Sequence, residues 1–331
     1  MNAKNLIIHI GHRNADASLL QNTLFASQSI LEQQRIYFPA FASKNEAGYA
    51  LGSCYEAPDE PSHWDLIKED IAKRRFENVI VSNPSFLRDL TVQSAQRFEA
   101  QTNNIADQKT VVAYLRPPGA HFLSLIQQRL RQAKELAPPS RTRVKERIQP
   151  LSQVWSGKIS LRVFDEQNLS HGNIVDDFFL REVPQARTSQ LSRTNPLAKP
   201  PLSTEAMALL IDRMHGRLDE RLDPASLVKQ IIRLDAMLPD PTQPTLHASV
   251  LQTLNNWAAP DLAWLREKQG IKFQEVKYRQ IDADDVDMGL IHFIDMAQIA
   301  PVNADRKHAL YKRARRLARL PRRVQDWIAA R

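Results

Sequence analysis

In the first half of the chain the apolar residues fall in short blocks, each followed by a stretch with helical spacing. Lys4 to Ile10 is β-branched, apolar and short, which predicts a strand. Ser18 stands where a helix cap belongs. Leu19, Leu20, Leu24, Ile30 and Leu31 then share one face, predicting a helix that reaches about Arg35. "IYFPAF" closes this unit, residues 42–61 read as loop, and "SHWDLIKEDIAKRR" is a second amphipathic helix. "ENVIVSNPSF" predicts a strand ending at Ser82, then a turn and a helix. "KTVVAYLRPPG" predicts a strand ending near Leu115, followed by a helix over about Pro118–Glu135. "GKISLRVF" is a fourth strand, and "NIVDDFFLREV" the helix after it.

Strand and helix patterns thus alternate over residues 4–183, which predicts a parallel sheet with helices on both faces. Ligands in such sheets sit beyond the carboxyl ends of the strands. Three polar loops fall there, at 11–18, 82–86 and 116–124. The polar, proline-containing run 186–202 reads as a linker or exposed loop. Beyond it the patterns are mostly helical, at 203–215, 223–237, 245–258, 260–268 and about 303–320. The expected organisation is an α/β domain over 1–185, the linker, and a mainly helical part over 203–331 that ends in a basic amphipathic helix.

Composition adds three constraints. The chain has 331 residues, 43% of them hydrophobic, enough to build a core. No window approaches 18 consecutive apolar residues, and Met1–Asn5 lacks the apolar run of a leader, so the expectation is a cytoplasmic protein without a transmembrane segment. One cysteine, Cys54, excludes an intrachain disulfide and a cysteine metal cluster.

The net charge of +8 is not spread evenly. From Arg306 to Arg331 there are ten Lys/Arg and one Asp, a net of +9, so the remaining 305 residues carry −1. The basic character therefore belongs to the tail, and the overall charge is no argument that the body binds nucleic acid.

Two stretches carry candidate chemistry. In "HIGHRNADAS" a strand runs through a loop into a helix start, where free backbone N–H groups and the helix dipole favour an anion. The phosphate-loop pattern G-x-x-x-x-G-K-[ST] is not met, since only Gly11 is present. In "YLRPPGAHFLS", Arg116 ends a strand and Ser124 follows eight residues later. A guanidinium chelates phosphate in two-pronged fashion and a hydroxyl donates to the same group. The plain alternative is an arginine held by a carboxylate and a serine facing solvent.

Taken together these pieces resemble the sulfotransferases, in particular bacterial proteins of polysaccharide modification. That family opens with HIG-T-x-K-T-G-[ST]-[ST]-x-L-Q, and here His9, Ile10, Gly11, Ser18, Leu20 and Gln21 stand in register. "QQRIYFPAF", with Tyr37 and Pro39, falls where its Y-P stretch belongs. "YLRPPGAHFLSLIQQRL" has the spacing of its Y-x-R and later serine. "ISLRVFDEQNLSHGNIVDDFF" resembles its next strand and helix, and "SRTNPLAKPPLSTEAMALL" the segment after that. The resemblance spans roughly residues 5–215. It implies a P-loop NTPase-like α/β fold of the nucleoside-kinase type and the donor 3′-phosphoadenosine 5′-phosphosulfate (PAPS), with no metal. Gly11, Arg13 and Ser18 would then belong to the 5′-phosphosulfate loop, Arg116 and Ser124 would bind the 3′-phosphate, and the acceptor would be a hydroxyl, commonly on a carbohydrate.

The loop departs from the family where the sulfuryl group leaves. Asn14 stands in place of the loop lysine, and a lost transition-state donor costs roughly 10²–10³ in rate. Asp16 replaces a glycine, and its charge opposes a phosphosulfate by on the order of 1 kcal/mol at 4 Å in water and about 4 at an effective dielectric of 20. Ala17 replaces a hydroxyl residue. His12 and Arg13 are new cations in the same loop, so His12, Arg13 and Asn14 are the catalytic candidates. Asn83 and Pro84 stand where family members carry a glutamate able to act as general base, which leaves His12 and His121 as alternatives. Two outcomes stay open: sulfuryl transfer by a rearranged site, or a fold that binds without catalysis.

In the tail, "ADRKHALYKRARRLARLPRR" reads as a basic amphipathic helix. Leu310, Ala314 and Leu317 lie on one side, Arg306, Lys312, Arg313, Arg315, Arg316 and Arg319 elsewhere, and Pro321 ends it. Over 306–323 it can dock on the body, lie on an anionic surface at the inner face of a membrane, or contact a polyanion. "DADDVDM" (282–288) lacks the calcium-loop pattern and reads as a solvated acidic loop.

Overall fold

The computed structural model describes residues 2–11, 15–39, 63–83, 90–132, 136, 142–165, 167–193, 201–218, 224–321 and 323–324. In chain order the main elements are β1 (Ala3–Gly11), α1 (Ala15–Ala26), α2 (Gln28–Gln33), β2 (Ile36–Tyr37), α3 (His63–Lys73), β3 (Asn78–Ser82), α4 (Val92–Thr102), β4 (Ala106–Leu115) and α5 (Pro118–Arg131). Next come α6 (Val144–Val154), β5 (Lys158–Val163), α7 (Ile174–Glu182), α8 (Thr204–Met214), α9 (Pro224–Asp235) and α10 (Ala248–Trp257). The chain closes with α11 (Ala259–Lys268), α12 (Met288–Ile291) and α13 (Ala304–Ala318).

The five strands form one all-parallel sheet in the order β2-β3-β1-β4-β5. Its central strands are buried on both faces, as their near-continuous apolar runs require. The pleat sorts their side chains. Ile7, Ile80, Val112 and Tyr114 share a face and pack with Leu20, Leu24, Phe178 and Phe179 from α1 and α7. Lys109 of β4 has the opposite parity and lies 4.7 Å over the Trp155 ring after α6. Trp155 stacks on Phe98 of α4, and Phe98 meets Trp64 of α3 edge-on. Gly157, just before β5, allows close strand approach, because a Cβ there would stand 2.2 Å from the Lys109 carbonyl oxygen.

The chain forms two compact units. One comprises Met1–Pro117, Arg143–Pro196 and Ala263–Phe273, and contains the sheet. The other comprises Pro118–Thr142, Leu197–Leu262 and Gln274–Arg331, so α5 belongs to it. This second unit is helical, with a core built from α5, α8, α9, α10 and α13 around Phe122, Met207, Ile231, Val250 and Leu310. Two of its helices start on side-chain caps: Ser203 accepts from the Ala206 N–H for α8, and Asn303 from the Arg306 N–H for α13.

The first helix begins at Ala15, so Ser18 lies inside it rather than at its cap. Three further local expectations change. The helix expected to run to Arg35 breaks at Ser27, whose buried hydroxyl accepts the Ser192 N–H at 2.9 Å. Arg35 then takes a left-handed φ of 58° to turn the chain into β2. The third concerns the tail: Arg306, expected among the surface cations of 306–323, is buried. Its guanidinium reaches Asp235 at 2.8 Å, Glu205 at 3.0 Å and Ser203 at 2.8 Å, and donates to the carbonyls of Asp235, Leu238 and Pro239. Burial of Leu310, Ala314 and Ala318 docks the rest of that face on the second unit's core.

Candidate functional site

The strand order fixes where the sheet's connections reverse direction. The chain leaves β1 toward β2 and β3 on one side, and leaves β4 toward β5 on the other. The loops after β1 and β4 therefore part at the carboxyl edge, between two hydrogen-bonded neighbours. Such a switch point is the usual ligand crevice of an open parallel sheet. β1 ends at Gly11 and β4 at Leu115, so Gly11 and Arg116 border it.

Arg116 continues β4 by one residue. The register pairs Leu115 with Val163, which sets Arg116 beside Phe164, and the Phe164 N–H donates to the Leu115 carbonyl at 2.8 Å. The guanidinium lies over the Phe164 ring at 4.7 Å. Burial pulls its pKa down to about 10, still far above neutral, so Arg116 is a partly desolvated cation at the carboxyl edge of the sheet. A ring beneath it restricts its rotamers and pre-orders the planar fork, a shape that matches two anion oxygens.

The floor beneath that edge is a buried polar layer. His9 is 1% exposed, and its Nδ1 lies 2.8 Å from the Ser82 hydroxyl on β3. Its ring meets Tyr114 and Phe178 edge-on. Burial, helped by the charge of Arg162, lowers its pKa to about 4, so it is neutral at pH 7. Gln21 on α1 donates to the Ser82 carbonyl at 3.0 Å, and the Asn83 N–H donates to the His9 carbonyl at 2.9 Å. Tyr114 donates to Asp177 at 2.8 Å, and Arg162 donates to the Tyr114 oxygen at 3.1 Å. Asp177 also accepts from Arg181 at 2.8 Å and from the Ser170 N–H and hydroxyl, while Arg162 pairs with Glu182. Burial alone would raise Asp177, but hydrogen bonds from Tyr114, Ser170 and Arg181 outweigh it and hold the carboxyl below its ordinary value.

His9 and Gln21, two residues that carried the sequence resemblance, thus clamp the first helix and the β1–β3 edge together. Neither is placed to touch a ligand directly. Tyr37, from the Y-P stretch, likewise pins β2 to α3 by donating to Asp70 at 2.5 Å.

No family model matches this chain, and no curated protein matches it in sequence.

Of the residues singled out from sequence, Gly11 ends β1 at the switch point and Arg116 stands at the end of β4. Ser18 lies in α1, and its side chain lies outside the described residues, as do His12, Arg13 and Asn14 entirely. Ser124 is half-buried on α5 in the helical unit, which also holds the buried His121. Asn83, at the expected place of a base, is buried with its backbone engaged by His9. Sequence reading missed Phe164 and the Tyr114–Asp177–Arg162 layer. Pairing "AYLR" with "LRVF" in parallel register would have set Phe164 next to Arg116.

Proposed function

We propose that the crevice between the ends of β1 and β4 binds an adenine nucleotide that carries a 3′-phosphate, PAPS or its desulfated product, on a P-loop NTPase-like fold. The observation that carries this reading is Arg116: a partly desolvated cation, braced on Phe164, at the switch point of a parallel sheet. Gly11 ends the opposite strand, where the backbone can approach a 5′-phosphosulfate. Ser18 supplies a hydroxyl donor in this reading, and Arg13 the second cation. Sulfuryl transfer to a carbohydrate hydroxyl then requires His12, Arg13 and Asn14 to do what a loop lysine does elsewhere. The nucleotide is tested by calorimetric titration with 3′-phosphoadenosine 5′-phosphate. Binding that weakens in Arg116→Ala by about 1.5–3 kcal/mol, the range for a charge-assisted contact, is the expected result. Absence of binding even at millimolar nucleotide overturns it.

A second reading is a sulfotransferase-fold protein that binds the nucleotide without turnover. It is favoured by the buried Asn83 at the expected place of the general base, since an amide cannot accept a proton at neutral pH. Measurable affinity for the product nucleotide, with no sulfate release from PAPS, is its signature.

A further inference from the structure

α13 has two chemically distinct sides. Arg306, Leu310, Ala314 and Ala318 recur at four-residue intervals and are buried. On the opposite side Lys312, Arg313 and Arg316 are exposed, and Arg319 and Arg323 extend the stripe. From Lys312 to Arg323 the sequence holds seven basic and no acidic residues, so the stretch itself carries no charge that offsets the stripe. Lys307, nearer the helix start, is held by Asp212 at 2.7 Å, so the outward charge gathers toward the helix end. Exposed aliphatic side chains, Leu320 and Val324, follow directly where the helix stops.

From this arrangement we infer that the outer face of α13 is a docking surface for an anionic phospholipid bilayer. Lys312 and Arg316 are one turn apart on the exposed side of the helix, so a flat charged plane can meet both at once. Guanidinium and ammonium heads reach phosphates while their stems stay near the apolar boundary. Leu320 and Val324 are short aliphatic contacts suited to the same depth. A nucleic acid would instead favour base-reading or stacking groups among the cations; of the two rings on this helix, Tyr311 packs against the second unit's core and His308 precedes the basic stretch Lys312–Arg323, which itself holds no aromatic ring. The apolar stripe is committed to the core, so attachment is electrostatic and reversible rather than by burial of the whole helix.

The test is co-sedimentation of the full chain with vesicles of one part phosphatidylserine to three parts phosphatidylcholine, beside vesicles of phosphatidylcholine alone. Binding only to the anionic vesicles, reversed by high salt, is expected. Lys312→Gln/Arg313→Gln/Arg316→Gln should weaken it on the order of a hundredfold, from the usual contribution of each surface cation. Because all three side chains are exposed, the variant's thermal midpoint should equal the wild type's, so loss of binding cannot be loss of fold. Equal binding to both vesicle types, an unaffected triple variant, or tighter binding to a DNA duplex at the same ionic strength each overturns the assignment.

Discussion

The Nδ1 atom of His9 on β1 lies 2.8 Å from the hydroxyl of Ser82 on β3, inside the sheet's buried layer. The two residues are partners in the parallel register and are both almost fully buried. In the folded chain the imidazole takes a proton only near pH 4, against 6.5 for the ordinary value that applies when unfolded. Between these values the unfolded state binds more protons, so stability rises with pH. The contribution is complete above about pH 6.5 and is lost progressively down to about pH 4. It amounts to on the order of 3 kcal/mol. Urea denaturation at pH 7 and pH 5 should show a smaller loss for His9→Gln, which does not titrate, than for wild type. Equal losses would contradict a neutral buried His9.

Asp177 joins β4, β5 and α7 through Tyr114, Arg162 and Arg181. Its replacement by alanine leaves Tyr114 and Arg162 buried with one acceptor fewer. Removing one partner of a buried ion pair costs about 3–5 kcal/mol, and Glu182 still holds Arg162, so the lower end is expected. Chemical denaturation at neutral pH measures it. A loss below about 1 kcal/mol would show that the layer does not hold the sheet to its helix.

Arg306 and Lys312 stand six residues apart on α13 with opposite expectations. Arg306→Ala strands Glu205 and Asp235 in the interior and should destabilise the helical unit by about 3–5 kcal/mol. Lys312→Ala should leave the thermal midpoint unchanged. Similar midpoints for the two variants would refute the buried anchor.

The stretch 12–17 is open to a gain-of-binding test. Asn14→Lys with Asp16→Gly supplies a cation and removes a repulsive carboxylate, and should raise affinity for a 5′-phosphosulfate by roughly tenfold or more. Calorimetry with PAPS reads it in wild type and variant. No gain would show that these two residues are not what limits the loop.

The sheet was legible because buried parallel strands write themselves as short continuous apolar runs: "LIIHI", "NVIVS" and "TVVAYL" all lie in strands. α6 was not, because "VKERIQPLSQV" carries Pro150 and several charges, and its single buried face shows only three residues, Val144, Ile148 and Leu151. β2 is two residues long and has no period to read. At the site, Arg116 was visible as a cation just past a strand, whereas Phe164 depends on register, which a single sequence does not state. Arg306 looked like a surface cation by composition. Its position one turn before Leu310, on the buried side, was the available sign, but its partners Glu205 and Asp235 are distant in sequence.

The central claim is that Arg116 reads a 3′-phosphate at the switch point. The most direct measurement compares 3′-phosphoadenosine 5′-phosphate with adenosine 5′-phosphate by calorimetry, in wild type and in Arg116→Ala. The account predicts that wild type prefers the 3′-phosphorylated nucleotide by about 10- to 100-fold, and that the preference largely disappears in the variant. Equal affinity of wild type for the two nucleotides, or a preference that Arg116→Ala leaves intact, would contradict it.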